Sequence, residues 1–147
     1  MRVVGVDVGA RRIGLAISDA TGTLARPLDT IAAADAADGV ARVAARIAQL
    51  AAEDDGVGAI VVGVPRRLDG SESEMTKTAM AFVDALRTRT LLPIVTEDER
   101  LTSVEAESRL AARQRDWKKR KAQLDAAAAA VVLQDYLDRR RTAHDAP

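Results

Sequence analysis

With 147 residues, 48% of them hydrophobic and 30% charged, the chain is long enough to fill one good core and has the balance of a globular protein. Its 22 basic and 22 acidic side chains cancel, so net charge selects neither nucleic acid nor a membrane as partner; only the distribution of charge can. With no Cys, and with the one His (His144) in a polar tail, disulfides, thiolate metal sites, thiol nucleophiles and His-based triads are excluded.

The chain enters a strand directly, without a signal-peptide pattern, and no apolar run approaches a membrane span. A soluble cytoplasmic protein without membrane partners is the expectation. Aromatic residues make up 2%, which argues against a base-stacking platform.

Val3-Val4-Gly5-Val6-Asp7-Val8-Gly9 reads as a central strand, β-branched and bounded by Gly9-Ala10-Arg11-Arg12. It places one carboxylate, Asp7, among apolar residues. A buried, ionised carboxylate needs an arginine, backbone N–H groups or a metal ion beside it. Ile13 to Asp19 resumes the pattern as a hairpin partner, and Thr21-Gly22 turns the chain into a third strand, Leu24 to Ile31, where Pro27 signals a sheet edge.

Val40 to Ala52 has helical spacing of Val40, Val43, Ala44, Ile47 and Leu50. Ala59 to Val64 is a continuous apolar run, typical of a strand covered on both faces. After the Pro65–Gly70 loop, Ser71 or Ser73 caps a helix over 73–89 that buries Met80, Phe82, Val83 and Leu86, with Glu74 completing a capping box to Ser71. Pro93 to Glu97 is a fifth strand, and Asp98-Glu99-Arg100 sits where it ends. Thr102 or Ser103 caps a helix through about Ala112. Residues 113–121 are a basic run opposed only by Asp116, and an Ala-rich helix follows over 122–141, with Leu124, Ala128, Val131, Val132 and Tyr136 on its inner face. The last residues, 142–147, read as a frayed tail.

No repeat or long linker divides the chain, which implies a single domain over 1–147 of the α/β class. Three antiparallel strands followed by two parallel ones give a five-stranded mixed sheet with helices on both faces, and right-handed crossovers make the first strand central. Strands one and five then end on the same side, so Asp7 and Asp98 or Glu99 face one opening that Asp125 can close.

Three acids at one mouth raise one another's pKa unless a cation is present, and Mg²⁺ or Mn²⁺ suits an all-oxygen set. Such a site suits phosphodiester hydrolysis, in which two ions about 4 Å apart activate water and stabilise the leaving oxygen without His or Cys. Taken singly, Asp98-Glu99-Arg100 also reads as a solvated loop and Asp125 as a helix cap.

Gly5-Val6-Asp7-Val8-Gly9-Ala10-Arg11-Arg12-Ile13-Gly14-Leu15-Ala16 resembles the opening motif of the YqgF, or RuvX-like, family. The resemblance continues through Val62-Gly63-Val64-Pro65, Leu68-Asp69-Gly70-Ser71, Asp98-Glu99-Arg100-Leu101-Thr102-Ser103, and Lys121, Asp125, Ala127 and Ala128. It implies a ribonuclease H-like fold and a metal-dependent endonuclease. The substrate it implies is the precursor of small-subunit ribosomal RNA, cut near the 5′ end during ribosome biogenesis, or alternatively a Holliday junction.

It also implies Asp7, Glu99 and Asp125 as metal-binding catalytic residues, with Asp98 the alternative second acid. Junction resolvases of this fold carry an acid at the end of strand four, where this chain has Val62-Gly63-Val64-Pro65. Arg12, Arg66, Arg67, Arg100, Lys118, Lys119, Arg120 and Lys121 are the expected phosphate contacts of a nucleic-acid partner, the basic run tracking a backbone. Monomer and homodimer are both compatible. Two other readings remain. Asp-x-Gly after a first strand also opens the phosphate loop of actin-like ATPases and sugar kinases, which need two such domains. A non-catalytic ribosome maturation factor would keep the acids without turnover.

Overall fold

The computed structural model describes residues 1–9, 11–99 and 117–145. The expected helix over 102–112 and residues 113–116 of the basic run lie outside them. Five strands, β1 (Arg2–Val8), β2 (Arg12–Ser18), β3 (Ala25–Ala32), β4 (Val57–Pro65) and β5 (Ile94–Glu99), form one sheet in the order β3-β2-β1-β4-β5. β1 is antiparallel to β2, β2 to β3, and β1, β4 and β5 run parallel. The central position of β1 and the edge position of the Pro27-bearing β3 follow the expectation from sequence.

Alternation along the strands divides the core into two. Val4, Val6, Ile13, Leu15, Ile17, Ile60 and Val62 face one side, where helices α1 (Ala36–Ala51) and α2 (Glu74–Arg87) cover them with Val43, Ile47, Phe82 and Leu86. Val3, Ala16 and Val61 face the other side, beneath the long helix α3 (Trp117–Asp145).

The start of α1 differs from the expectation, whereas α2 has Ser73, one of its two expected caps, at its N-cap with a different capping-box partner. α1 begins earlier than its apolar spacing suggests, because the Asp35 side chain caps it by accepting from the Asp38 N–H at 2.8 Å. The capping box of α2 joins Ser73 and Thr76, not Ser71 and Glu74; Thr76 is fully buried and its hydroxyl also donates to the Pro65 carbonyl, which ties the helix start to the end of β4. Met80 is half-buried, and Thr76 and Ala79 join Phe82, Val83 and Leu86 on the inner face.

α3 extends beyond both sequence-derived ends, to Trp117 and to Asp145, so the helix continues past Arg141. Its buried stripe is Ala126, Ala129, Val132, Leu133 and Leu137, with Ala128, Val131 and Tyr136 only half-buried. The difference has a physical cause in what α3 packs against. Its floor is paved with glycines. A Cβ on Gly5 would come within 2.7 Å of Leu133 Cβ, one on Gly63 within 2.9 Å of a Val132 methyl, and one on Gly14 would overlap the Asp125 carbonyl oxygen. The absence of side chains at these strand positions lets Leu133 and Val132 fill the space over Gly5 and Gly63 and lets the Ala129 and Asp125 carbonyls come close to the strands.

Gly14→Ala should therefore push the start of the described part of α3 off the sheet and cost about 1–3 kcal/mol of stability. Urea denaturation compared with the unsubstituted chain measures it.

Candidate active site at the end of the central strand

Asp7 lies near the C-terminal end of β1, directly across from Gly14 on β2. Because Gly14 has no side chain, the backbone of Asp125 settles onto that position. The missing Cβ thus brings the α3 carboxylate to the β1 carboxylate. Asp7 is largely withdrawn from water without being sealed, and its pKa is pushed up to about 6, first by burial and then by the negative charge of Asp125. The Asp125 Oδ2 atom is itself closed to solvent.

Glu99 is the last residue of β5, paired with Pro65, and its carbonyl accepts from the Arg66 N–H at 3.1 Å. β5 runs two residues beyond the expected end, so Asp98 and Glu99 belong to the strand and obey its alternation. Gly63 beneath α3 pairs with Glu97, and Pro65 with Glu99, so Glu97 and Glu99 share the α3 side. Asp98 takes the opposite side, where its Oδ1 accepts from Arg66 Nε at 3.1 Å. The strand period therefore puts Glu99, and not Asp98, on the face of Asp7 and Asp125. Glu99 Oε2 is closed to solvent. Among the described residues, no three His, Asp or Glu side chains are gathered closely enough to hold an ion; Asp7 and Asp125 are brought together, and Glu99 shares their face from a strand further out.

Of the expected phosphate contacts, Arg12 opens β2 half-buried and Arg67 is exposed in the loop between β4 and α2. Arg66 is held by Asp98 and, at 3.9 Å, by Glu72, so its charge is already shared between two carboxylates. Arg100 and the side chains of Lys118, Lys119, Arg120 and Lys121 lie outside the described residues. At the end of β4, where this chain lacks the acid that junction resolvases of the fold carry, the close approach of Val132 leaves no room for a side chain on Gly63 without movement.

Two residues escaped the sequence reading: Gly14, whose missing side chain seats Asp125, and Glu97, an almost fully buried acid paired with Arg139 of α3. Carrying the period of two from Val95 through Glu99 would have shown that Glu97 and Glu99 point the same way. A cavity of about 560 Å³, lined by Val8, Ile13, Val40 and Phe82 among others, opens between α1 and α2 on the opposite face and brings none of the predicted acids together.

A mixed five-stranded sheet in this order, with acids at the ends of two of its three parallel strands, β1 and β5, and helices on both faces, defines a ribonuclease H-like fold. RuvC from Thermus thermophilus has the same fold: the chain superimposes with a TM-score of 0.53 at 18% identity, each covering 96% of the other. A second RuvC structure, solved in complex with a Holliday junction substrate, gives 0.54 at 16% identity with the same coverage. The family model described as "RuvX: Holliday junction resolvase" matches residues 1–139, and the chain belongs to that family. Relatives bearing the name "Putative pre-16S rRNA nuclease" include one from Anaeromyxobacter dehalogenans, 41% identical over 95% of this chain and 98% of its own length. Another, from Chloroflexus aggregans, is 45% identical over 95% of this chain and 94% of its own. Among the described residues, no helix is long and apolar enough to cross a membrane.

Because the pKa of Asp7 is higher in the folded chain than its ordinary value of 3.8, stability is fully present below about pH 4 and falls as pH rises towards 6. In metal-free buffer, Asp7→Asn should be more stable than the unsubstituted chain at pH 7, by on the order of 2–3 kcal/mol, with the gap closing below pH 4. Thermal melts across pH 3–8 in chelator check this.

Proposed function

We propose that the chain is a divalent-cation-dependent endonuclease that hydrolyses phosphodiester bonds of precursor 16S ribosomal RNA. Asp7 and Asp125 would be the principal ligands and Glu99 the third. The observation that carries the reading is the Asp7–Asp125 pair at the end of β1: the charge of Asp125 acts on Asp7, Asp7 is largely withdrawn from water, and the Asp125 Oδ2 atom is closed to it. Burial and the charge of Asp125 favour the protonated form of Asp7 in the bare chain, and a bound cation would reverse that. The donors are all carboxylate oxygens, which fits a hard ion such as Mg²⁺ or Mn²⁺. When bound, the ion would lower the pKa of an attacking water and stabilise the leaving oxygen.

The chain's own residues supply the rest. Asp7 fixes its carboxylate on the central strand of the sheet, flanked on both sides. Asp125 is held by backbone contact with Gly14. Arg67, exposed beside the site's edge strand, and Arg12 at the start of β2 offer positive charge to a phosphate backbone. Maturation of small-subunit ribosomal RNA as the setting rests on the names of the relatives, and a cytoplasmic location is part of the same proposal.

A four-way DNA junction is the second reading, favoured by the description of the family model. One assay separates the two: cleavage of precursor 16S RNA and of junction DNA, each with Mg²⁺, with Mn²⁺ and with chelator. The RNA should be cut and the cut should disappear with chelator. Asp7→Asn should lose at least about a hundredfold in rate while its circular dichroism is unchanged. Cleavage by Asp7→Asn at the unsubstituted rate contradicts the assignment, and exclusive cleavage of the junction favours the second reading.

A further inference from the structure

Glu97 is buried to 4% exposure in the middle of an edge strand whose neighbours Val95, Thr96 and Asp98 are exposed. Its carboxylate is 2.5 Å from a guanidinium nitrogen of Arg139, itself 68% exposed, on α3. Burial pushes the pKa of Glu97 up, Arg139 opposes that, and Asp135 and Asp98 add to it. A well-packed apolar pair usually serves stability at least as well as a buried ion pair, so stability alone gives this one no clear purpose.

Its position suggests another. α3 packs mainly across β1, β2 and β3 and touches β5 only lightly. The helix is seated near one end where Asp125 lies on Gly14, and near the other where Arg139 reaches Glu97. The same strand, two residues on and on the same face, carries Glu99. On the opposite face Arg66 holds Asp98, and the Arg66 N–H holds the Glu99 carbonyl.

We propose that Glu97 and Arg139 form a clasp between β5 and α3 that sets the position of Glu99 relative to Asp7 and Asp125. Glu97 and Arg139 are positioning residues; neither touches the substrate. The inference rests on the three-acid site proposed above and adds the device that brings its outer member into line. Arg139 is exposed enough to be replaced without disturbing the core, and Glu97→Gln keeps the shape of the buried side chain.

The test is Mn²⁺ binding by calorimetry on the full chain, in parallel with hydrogen exchange of the β5 amides without metal. Arg139→Gln and Glu97→Gln should each bind Mn²⁺ about tenfold more weakly, the range seen when groups supporting a metal ligand are removed. The double variant should be no worse than either single one, Arg139→Lys should recover most of the affinity, and β5 amides should exchange faster in the two single variants.

Unchanged β5 exchange overturns the clasp, whatever the metal data. Faster exchange or a lower melting temperature with unchanged Mn²⁺ affinity reduces the pair to a structural contact and also overturns the proposal. Asp7→Asn run alongside distinguishes the failures: if it binds Mn²⁺ like the unsubstituted chain, the three-acid site is at fault, whereas loss there with normal binding in the clasp variants refutes the clasp alone.

Discussion

The structure turns on the pressing together of Asp7 and Asp125. Two carboxylates in a half-dry corner repel each other, and removal from water makes either charge more costly. The fold nevertheless forces the approach, because the α3 backbone comes down onto a strand position where Gly14 leaves no side chain to hold it off. The pKa of Asp7 is raised in consequence to about 6, first by burial and then by Asp125. A protein selected only for stability would have removed one acid; keeping both makes sense where a cation and a phosphate complete the site.

The rest of the molecule divides around that corner. On one side of the sheet, α1 and α2 bury the branched residues of β1, β2 and β4 and give the central strand its stiffness. On the other, the floor of α3 is Gly5, Gly14, Ala16 and Gly63, so the helix lies close enough to bring the Asp125 carboxylate towards Asp7. One strand, β1, serves both: Val4, Val6 and Val8 anchor it below, while Gly5 and Asp7 look up at α3. Alternation of side chains is thus what separates the supporting face from the chemical one.

Much of this was legible in the sequence. The apolar run with Asp7 in it, the Gly9–Arg12 turn, the Pro27 edge and the parallel pair β4–β5 place the strands and make β1 central. What the sequence left open was decided by contacts between distant parts. Asp98 and Glu99 look equivalent in a loop, and become distinct only once β5 is seen to run through Glu99. Asp35 was hidden by an alanine-rich first turn that carries no apolar signal. The inner face of α3 was legible in part: Val132 is buried and Tyr136 packs at the edge of the core, but the stripe over Gly5 and Gly63 turns Leu133 and Leu137 inward and leaves Ala128 and Val131 half-buried. The Glu97–Arg139 contact joins positions far apart in the chain, beyond the reach of any local pattern.

The most direct test of the account is the titration of the Asp7 carboxyl carbon by NMR, in the unsubstituted chain and in Asp125→Asn, each with and without Mg²⁺. In the metal-free chain the midpoint should lie near 6. It should fall part of the way towards the ordinary value in Asp125→Asn, since burial is the larger cause and remains. With Mg²⁺ in the unsubstituted chain it should drop well below 6, because the cation favours the ionised form. A midpoint near 3.8 that responds neither to Asp125 nor to Mg²⁺ would contradict the claim that these two acids form a common cation site.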